Sequence, residues 1–357
     1  MRNFLFVLLL LSPSLPVIAS DDGQPAPVLS AEAAAIQPQQ VSSIDGRNWG
    51  LEYLDSESPL EQSSSATSLL EELFGDLPRF DSNAGIQKQK NALDNAILKF
   101  ASMPRMRSAI VLIYDENGKK SLHSKNADVV APVASITKLM TAMVVLDAKL
   151  PLDEEISTDR ADISKQKRTR SRTPTGMTMT RGDLLKLALM ASDNLSAAAL
   201  ARTYPGGTEA ALVQMNLKAR ELGMNSTRFM DPTGLHSGNV STANDLVKMV
   251  QAARGYEVIH RFTTATSHTV EREGKRPLRY HNTNPLVRNA SWNIGLSKTG
   301  YISEAGRCLV MEAKISEHPV IIVLLDSWGR NSRVGDANRV KRWMENASLR
   351  GQKSNNM

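Results

Sequence analysis

The sequence is short of the residues that several chemistries need. Its 357 residues contain one cysteine, Cys308. A lone thiol cannot close an internal disulfide, and it excludes cysteine-only zinc sites and CxxC redox chemistry. Aromatic residues are 5% of the chain. The basic stretches lack the interleaved aromatics on which single-stranded nucleic acid stacks. The six histidines (His123, His236, His260, His268, His281, His318) are scattered and read as structural residues. HExxH and GxxxxGK[ST] are missing, and Gly295-Leu-Ser297-Lys-Thr299 fails the GxSxG elbow at its last position. Long apolar runs are missing as well. Phe4 to Leu11 is unbroken, but well short of the roughly 20 residues a membrane span needs.

What is present is a globular composition. Hydrophobic residues are 41% and charged residues 22%, so a sizeable core is available and wholesale disorder is excluded. A net charge of +6 is too small to argue for nucleic acid. The charge is unevenly spread. From Ser20 to Arg105 there are 13 acids against 6 bases, and from there to the C-terminus 24 against 36. A basic body suits an anionic polymer, whether nucleic acid, lipid headgroups or a carboxylate-rich cell wall, and charge alone does not choose.

The N-terminus reads as a bacterial secretory signal over residues 1–19. Arg2 is the positive region, Phe4 to Leu11 the apolar region, and Val17-Ile18-Ala19 precedes a cut after Ala19. That predicts export to the periplasm of a two-membrane cell. Residues 20–105 read as an acidic leader, mostly disordered where Pro, Gln and Ser dominate. Short helices are expected at Ser64 to Asp76 and Ala84 to Ala101, the latter ended by Pro104. From Arg107 the texture changes. Ser108 to Tyr114 and Lys120 to Ser124 predict a hairpin about the Asp115-Glu-Asn-Gly118 turn. Helices are expected over Ser135 to Leu150, Gly182 to Met190, Ser196 to Arg202, Glu209 to Leu222 and Asn244 to Arg254. Strands follow at Asn293 to Ser297, Cys308 to Ala313 and Val320 to Leu325, then a closing helix at Asp336 to Asn346. The pattern predicts one α+β unit over residues 106–348, its antiparallel sheet pairing N- and C-terminal strands against a helical middle. Residues 349–357 are a tail.

Three short motifs carry the chemistry. Ser135-Ile-Thr-Lys138 opens an apolar helix, Ser192-Asp-Asn194 lies between two helices, and Lys298-Thr-Gly300 ends a late strand. Each alone is weak. Ser164 and Lys167 also fit SxxK. Ser124–Asn126, Ser237–Asn239, Ser291–Asn293 and Ser354–Asn356 also fit SxN. Ser192-Asp-Asn194 could be a helix cap, Lys-Thr-Gly an ordinary turn, and Lys138 a solvated helix lysine. The conjunction is the specific signal. A serine hydroxyl needs a base to take its proton. Residues i and i+3 of a helix share a face, which places Lys138 beside Ser135. Free lysine titrates near 10.4, so burial and a second cation, for which Lys298 is the candidate, must lower it. Ile136, Leu139, Met140 and Met143 around Lys138 predict that burial.

Order and context resemble the penicillin-recognising serine acyl-transferases, marked by SxxK, SxN and KTG. The likeness runs over about 106–348. It is greatest to the low-molecular-mass D-alanyl-D-alanine peptidases of the penicillin-binding protein 7 type. Pro132 to Asp147, Leu187 to Asn194, Tyr204 to Gly207, Asp231 to Leu235, Ser241 to Leu246 and Trp292 to Gly300 carry it. The resemblance implies a serine β-lactamase/DD-peptidase-like fold and cleavage of D-alanyl–diaminopimelate cross-links in peptidoglycan. It implies Ser135 as nucleophile, Lys138 as its base and Ser192 as a proton relay to the leaving amine. Asn194, Lys298, Thr299 and Gly300 would bind substrate. The backbone N–H groups of Ser135 and Tyr301 would form the oxyanion hole. No cofactor or metal is implied. Peptidoglycan stem peptides and β-lactam antibiotics are the expected ligands, with no nucleic acid and no stable membrane anchor. A class A β-lactamase would carry a deacylating Glu-x-x-Leu-Asn, which Glu221-Leu-Gly-Met-Asn225 does not match. A DD-carboxypeptidase and a non-catalytic wall-binding relative remain the alternatives. The run Lys165 to Arg172 reads as a solvated loop or edge strand, or as a contact for anionic wall polymer.

Overall fold

The computed structural model describes residues 103–164 and 171–355, and side chains as far as residue 348. The expected signal peptide, most of the expected leader with its two expected helices, and residues 165–170 of the basic run lie outside the described residues.

The elements follow in chain order. Strands β1 (Ser108–Asp115), β2 (Lys120–Lys125) and β3 (Ala131–Pro132) precede a 3₁₀ turn at Ala134–Thr137 and helix α1 (Lys138–Asp147). Strands β4 (Glu155–Ser157) and β5 (Thr178–Thr180) lead to α2 (Arg181–Met190), α3 (Asn194–Arg202) and α4 (Gly207–Glu221). Next come β6 (Val240–Ser241), α5 (Ala243–Ala253), α6 (Glu257–Thr263), β7 (Ser267–Arg272) and β8 (Lys275–His281). The chain closes with β9 (Asn293–Ile302), β10 (Gly306–Ile315), β11 (His318–Ser327) and α7 (Ser332–Asn355).

The main sheet has the order β2-β1-β11-β10-β9, with every pairing antiparallel. The first strand thus pairs with the last, as the sequence pattern requires. Strands β1, β10 and β11 read as near-continuous apolar runs because both faces of the sheet are covered. Ile110, Leu112, Val310, Ile321 and Val323 pack on the helical middle. Alternate residues Val111, Ile113, Leu309, Met311, Ile322 and Leu324 pack on the other side with Val340, Trp343 and Met344 of α7. Asp336 locks that helix to the start of β1, accepting from Ser108 N at 2.8 Å and Ser108 Oγ at 2.6 Å.

The helical middle surrounds α1, whose first eight residues are all buried. Such a helix is apolar on every side because it is the centre of a layer rather than its surface. Its neighbours begin with side-chain caps. Thr180 accepts from Asp183 N, Asp193 from Ser196 N and Thr242 from Asp245 N.

Two expectations are corrected. Ser135 lies not in an α-helix but in the 3₁₀ turn before α1. At three residues per turn, i and i+3 eclipse, which sets Lys138 directly over Ser135. Lys298-Thr-Gly300 does not end a strand at Ser297; β9 runs through it to Ile302. Lys298 and Thr299 interrupt the apolar pattern, yet both are buried, because both faces of β9 are covered at these positions. The β7–β8 hairpin and α6 were not legible, since charged residues dominate the hairpin and α6 spans seven residues.

Candidate active site

The three motifs converge where the free edge of β9 meets the helical middle. Lys138 Nζ donates to Ser135 Oγ at 2.9 Å, Asn194 Oδ1 at 2.7 Å and the Thr233 carbonyl at 2.5 Å. Lys298 Nζ donates to Ser192 Oγ at 2.8 Å and the Thr299 carbonyl at 2.9 Å. Thr299 Oγ1 donates to Thr283 Oγ1 at 2.7 Å. Every side chain named from sequence is therefore in one constellation. Of the competing SxN pairs, Ser354–Asn356 lies outside the residues with described side chains, and Asn239, the second member of another, holds a neighbouring loop.

Backbone strain presents the serines. Ala134 has φ 48° and Ser192 φ 59°, conformations that non-glycine residues hold only when packing over-determines them. The turn before α3 is capped by Asp193, leaving Ser192 and Asn194 on either side of it free to face the two lysines. The capping explanation of the motif thus applies to its middle residue alone.

Glycines let two segments close on the nucleophile turn. A Cβ on Gly234, whose φ is +82°, would stand 2.0 Å from the Ala134 carbonyl oxygen. A Cβ on Gly300 would stand 2.9 Å from the Val133 carbonyl oxygen and 3.1 Å from Ser135 N. The missing side chain at Gly300 thus serves contact between β9 and the turn that carries Ser135.

Both lysines are buried. Burial pushes Lys138 down to about 8, against the pull of the Asp231 and Asp193 carboxylates. Lys298 lies well below the ordinary lysine value, first from burial and then from the Lys138 and Arg333 cations. Two ammonium groups in one dry site oppose each other, so the site favours one charge over two.

Sequence reasoning missed the frame behind Lys138. Asp231 accepts from Gly234 N at 2.9 Å and from Asn239 Nδ2 at 2.9 Å, and Asn239 Nδ2 also donates to Thr137 Oγ1 at 2.9 Å. This network holds the Thr233 carbonyl against Lys138. Arg333, at the start of α7, was also missed; its Nη1 donates to the Gly300 carbonyl at 3.0 Å. A single arginine on an amphipathic helix carries no local signal, and the Asp231 to Leu235 stretch entered only through family likeness.

The site is built for acyl transfer. A serine hydroxyl lies against a lysine of lowered proton affinity, with a second hydroxyl–lysine pair alongside. Residues 98–329 match the family described as D-alanyl-D-alanine carboxypeptidase. The chain belongs to that family. It is thereby a serine-type D-alanyl-D-alanine peptidase. A D-alanyl-D-alanine endopeptidase of Pseudomonas aeruginosa is 46% identical over 245 residues, 68% of this chain and 79% of that protein. The Escherichia coli D-alanyl-D-alanine endopeptidase is 44% identical over 250 residues, covering 70% and 81%. Among solved structures, the Streptomyces K15 DD-transpeptidase superposes with a TM-score of 0.63 at 25% identity, covering 68% of this chain and 98% of that one. A D-alanyl-D-alanine carboxypeptidase from Mycobacterium tuberculosis gives 0.61 at 26% identity, over 68% and 92%. Family members therefore share this fold while their names divide among three reactions. Among the described residues, no helix is long and apolar enough to cross a membrane.

Proposed function

We propose that the protein is a periplasmic serine DD-endopeptidase that hydrolyses D-alanyl–diaminopimelate cross-links of peptidoglycan through an acyl-enzyme on Ser135. The carrying observation is the number of partners around Lys138. A neutral amine has two hydrogens and one lone pair. Asn194 Oδ1 and the Thr233 carbonyl can take only hydrogens, so the lone pair is left for the Ser135 hydroxyl. That is the arrangement of a general base beside its nucleophile.

Ser135 Oγ attacks the D-alanyl carbonyl carbon as its proton passes to Lys138. The oxyanion forms against the backbone N–H groups of Ser135 and Tyr301. Tyr301 lies two residues beyond Thr299, whose carbonyl faces Lys298. Alternation along β9 puts its amide on the same edge. The C–N bond then breaks as the Ser192 hydroxyl passes a proton to the leaving amine and takes up the one held by Lys138, which returns to the neutral amine, while Lys298 and Thr299 hold the carboxylate beside the leaving amine. Water, deprotonated by Lys138, attacks the Ser135 ester, and the same proton returns to Ser135 Oγ as the stem is released. A β-lactam would follow the first step and stay bound.

The D-centre of diaminopimelate carries a carboxylate next to the amine that leaves, as terminal D-alanine does, so one grip serves both reactions. The endopeptidases of P. aeruginosa and E. coli at 46% and 44% identity favour the cross-link. Signal peptide 1–19, leader 20–105, catalytic domain 106–348 and tail 349–357 complete the reading.

The test gives mature protein a cross-linked muropeptide dimer and a monomeric pentapeptide together, with Ser135→Ala as control and products read by mass. Splitting of dimers is the expected result. Loss of one terminal alanine with dimers intact would make it a carboxypeptidase. No change in either, with no penicillin adduct on Ser135, would leave a wall-binding relative.

A further inference from the structure

Two described segments outside the motifs flank the Ser192–Lys298 pair. On one side, Ser171 Oγ donates to Asp193 Oδ2, which ties Ser171 and Arg172 to the turn between Ser192 and Asn194. On the other, Thr283 accepts from Thr299 and lies two residues beyond β8, so the β7–β8 hairpin is tied to β9 beside Lys298. The two meet at Tyr280. Its ring is buried, its hydroxyl lies 3.0 Å from Thr173 Oγ1, and the Arg172 guanidinium sits over its face at 5.7 Å. Arg272, on β7 of the same hairpin, has its guanidinium held against the Arg276 carbonyl at 2.6 Å. Acids nearby are Asp193, engaged by Ser171 and Ser196, and Glu271 and Glu273, both exposed.

An arginine parked on a buried aromatic ring is pre-oriented, and its outer N–H groups stay open to a carboxylate. Lys298 and Thr299 already account for the carboxylate next to the scissile bond. Free D-alanine has no other. A leaving stem peptide has several.

We propose that Arg172, seated on Tyr280 and supported by Arg272, holds the further carboxylates of the leaving stem peptide and so selects a cross-linked over a terminal D-alanyl substrate. This rests on the endopeptidase reading above. It assigns to two arginines what the lysine grip cannot supply, because the grip is common to both leaving groups.

The experiment compares wild type, Arg172→Gln, Arg172→Lys and Arg172→Gln/Arg272→Gln. It measures KM and kcat on the muropeptide dimer and on the pentapeptide, and the acylation rate with labelled penicillin. Dimer affinity is measured separately by titration onto Ser135→Ala protein with and without Arg172→Gln. The expected result is a roughly five- to tenfold weaker dimer KM and Kd in Arg172→Gln, more in the double variant, with reduced salt sensitivity. Pentapeptide kinetics and penicillin acylation stay within twofold, and Arg172→Lys recovers most of the loss. Unchanged dimer affinity in both glutamine variants would overturn the proposal. So would an equal loss on dimer, pentapeptide and penicillin without rescue by lysine, which would reduce Arg172 to packing. If wild type leaves dimers intact while Ser135→Ala binds them in an Arg172-dependent way, the endopeptidase reading fails and the anion seat stands.

Discussion

Lys298 Nζ donates to Ser192 Oγ at 2.8 Å across 106 positions of sequence, joining the sheet to the helical middle. Ser192 accepts from the lysine, and its own proton stays available for a departing amine. The serine holds this position at φ 59°, a conformation that only surrounding packing maintains. Ser192→Ala removes the proposed relay and leaves a buried amine one partner short. Penicillin acylation, followed by stopped-flow fluorescence, is expected to slow by about 100-fold or more. A rate within threefold of wild type would remove Ser192 from the mechanism.

The acylation rate should follow the titration of Lys138. With the amine pushed down to about 8, the base form is a minority below that pH and complete above it. The second-order rate with penicillin is expected to rise about tenfold per pH unit below 8 and to level off above it. A profile flat between pH 6 and 9 would mean that another group takes the Ser135 proton.

The same lysine costs stability. Its folded value, about 8, lies below the unfolded value near 10.4, so the unfolded chain binds more protons between those values. Stability therefore climbs with pH through that window, and the cost is fully present below pH 8, at about 3 kcal/mol. Lys138→Met relieves it but takes a donor from Asn194 Oδ1 and from the Thr233 carbonyl, an offset of about 1–3 kcal/mol for each. The two effects are of similar size, so the expected outcome is an inactive protein whose stability curve is flatter from pH 8 to 10 than that of wild type. Urea unfolding at several pH values checks it, and a wild-type slope across that window would contradict it.

Gly234→Ala is the sharpest packing test. The new methyl would lie 2.0 Å from the Ala134 carbonyl oxygen on a backbone at φ +82°, and neither the turn nor the loop is a flexible side-chain end. A loss of about 3 kcal/mol or more is expected, together with loss of penicillin labelling. Wild-type melting and labelling would show that the two segments separate freely.

Cys308 should be silent. It is fully buried in β10, and burial pushes its thiol up to about 12. A disulfide reagent at pH 8 is expected to titrate no thiol in the folded protein and one after denaturation. Rapid labelling of native protein would show that this end of β10 opens.

Much of the site was legible because its chemistry is local in sequence. Ser135 and Lys138 are three residues apart, Ser192 and Asn194 two, and Lys298 and Thr299 adjacent, and the first two pairs sit at element boundaries with recognisable turn or helix signals. The apolar runs of β1, β10 and β11 were legible for the same reason. Arg333, Asp231, Asn239 and Thr283 were not, because each acts through a contact made with a distant segment. Nothing in the local pattern separates such a residue from a solvated one.

The sequence by itself determined which residues could do the chemistry and the order of elements that would carry them, since hydrophobic periodicity and short-range geometry depend only on neighbours. Only the tertiary structure decided which of several SxN pairs faces the lysine and why Gly234 and Gly300 must lack side chains. It also decided that Lys138 lies in a dry site with two hydrogen-bond acceptors fixed besides the serine. Those are matters of burial and close approach between segments far apart in the chain, and a proton's affinity for a buried amine is set by that enclosure.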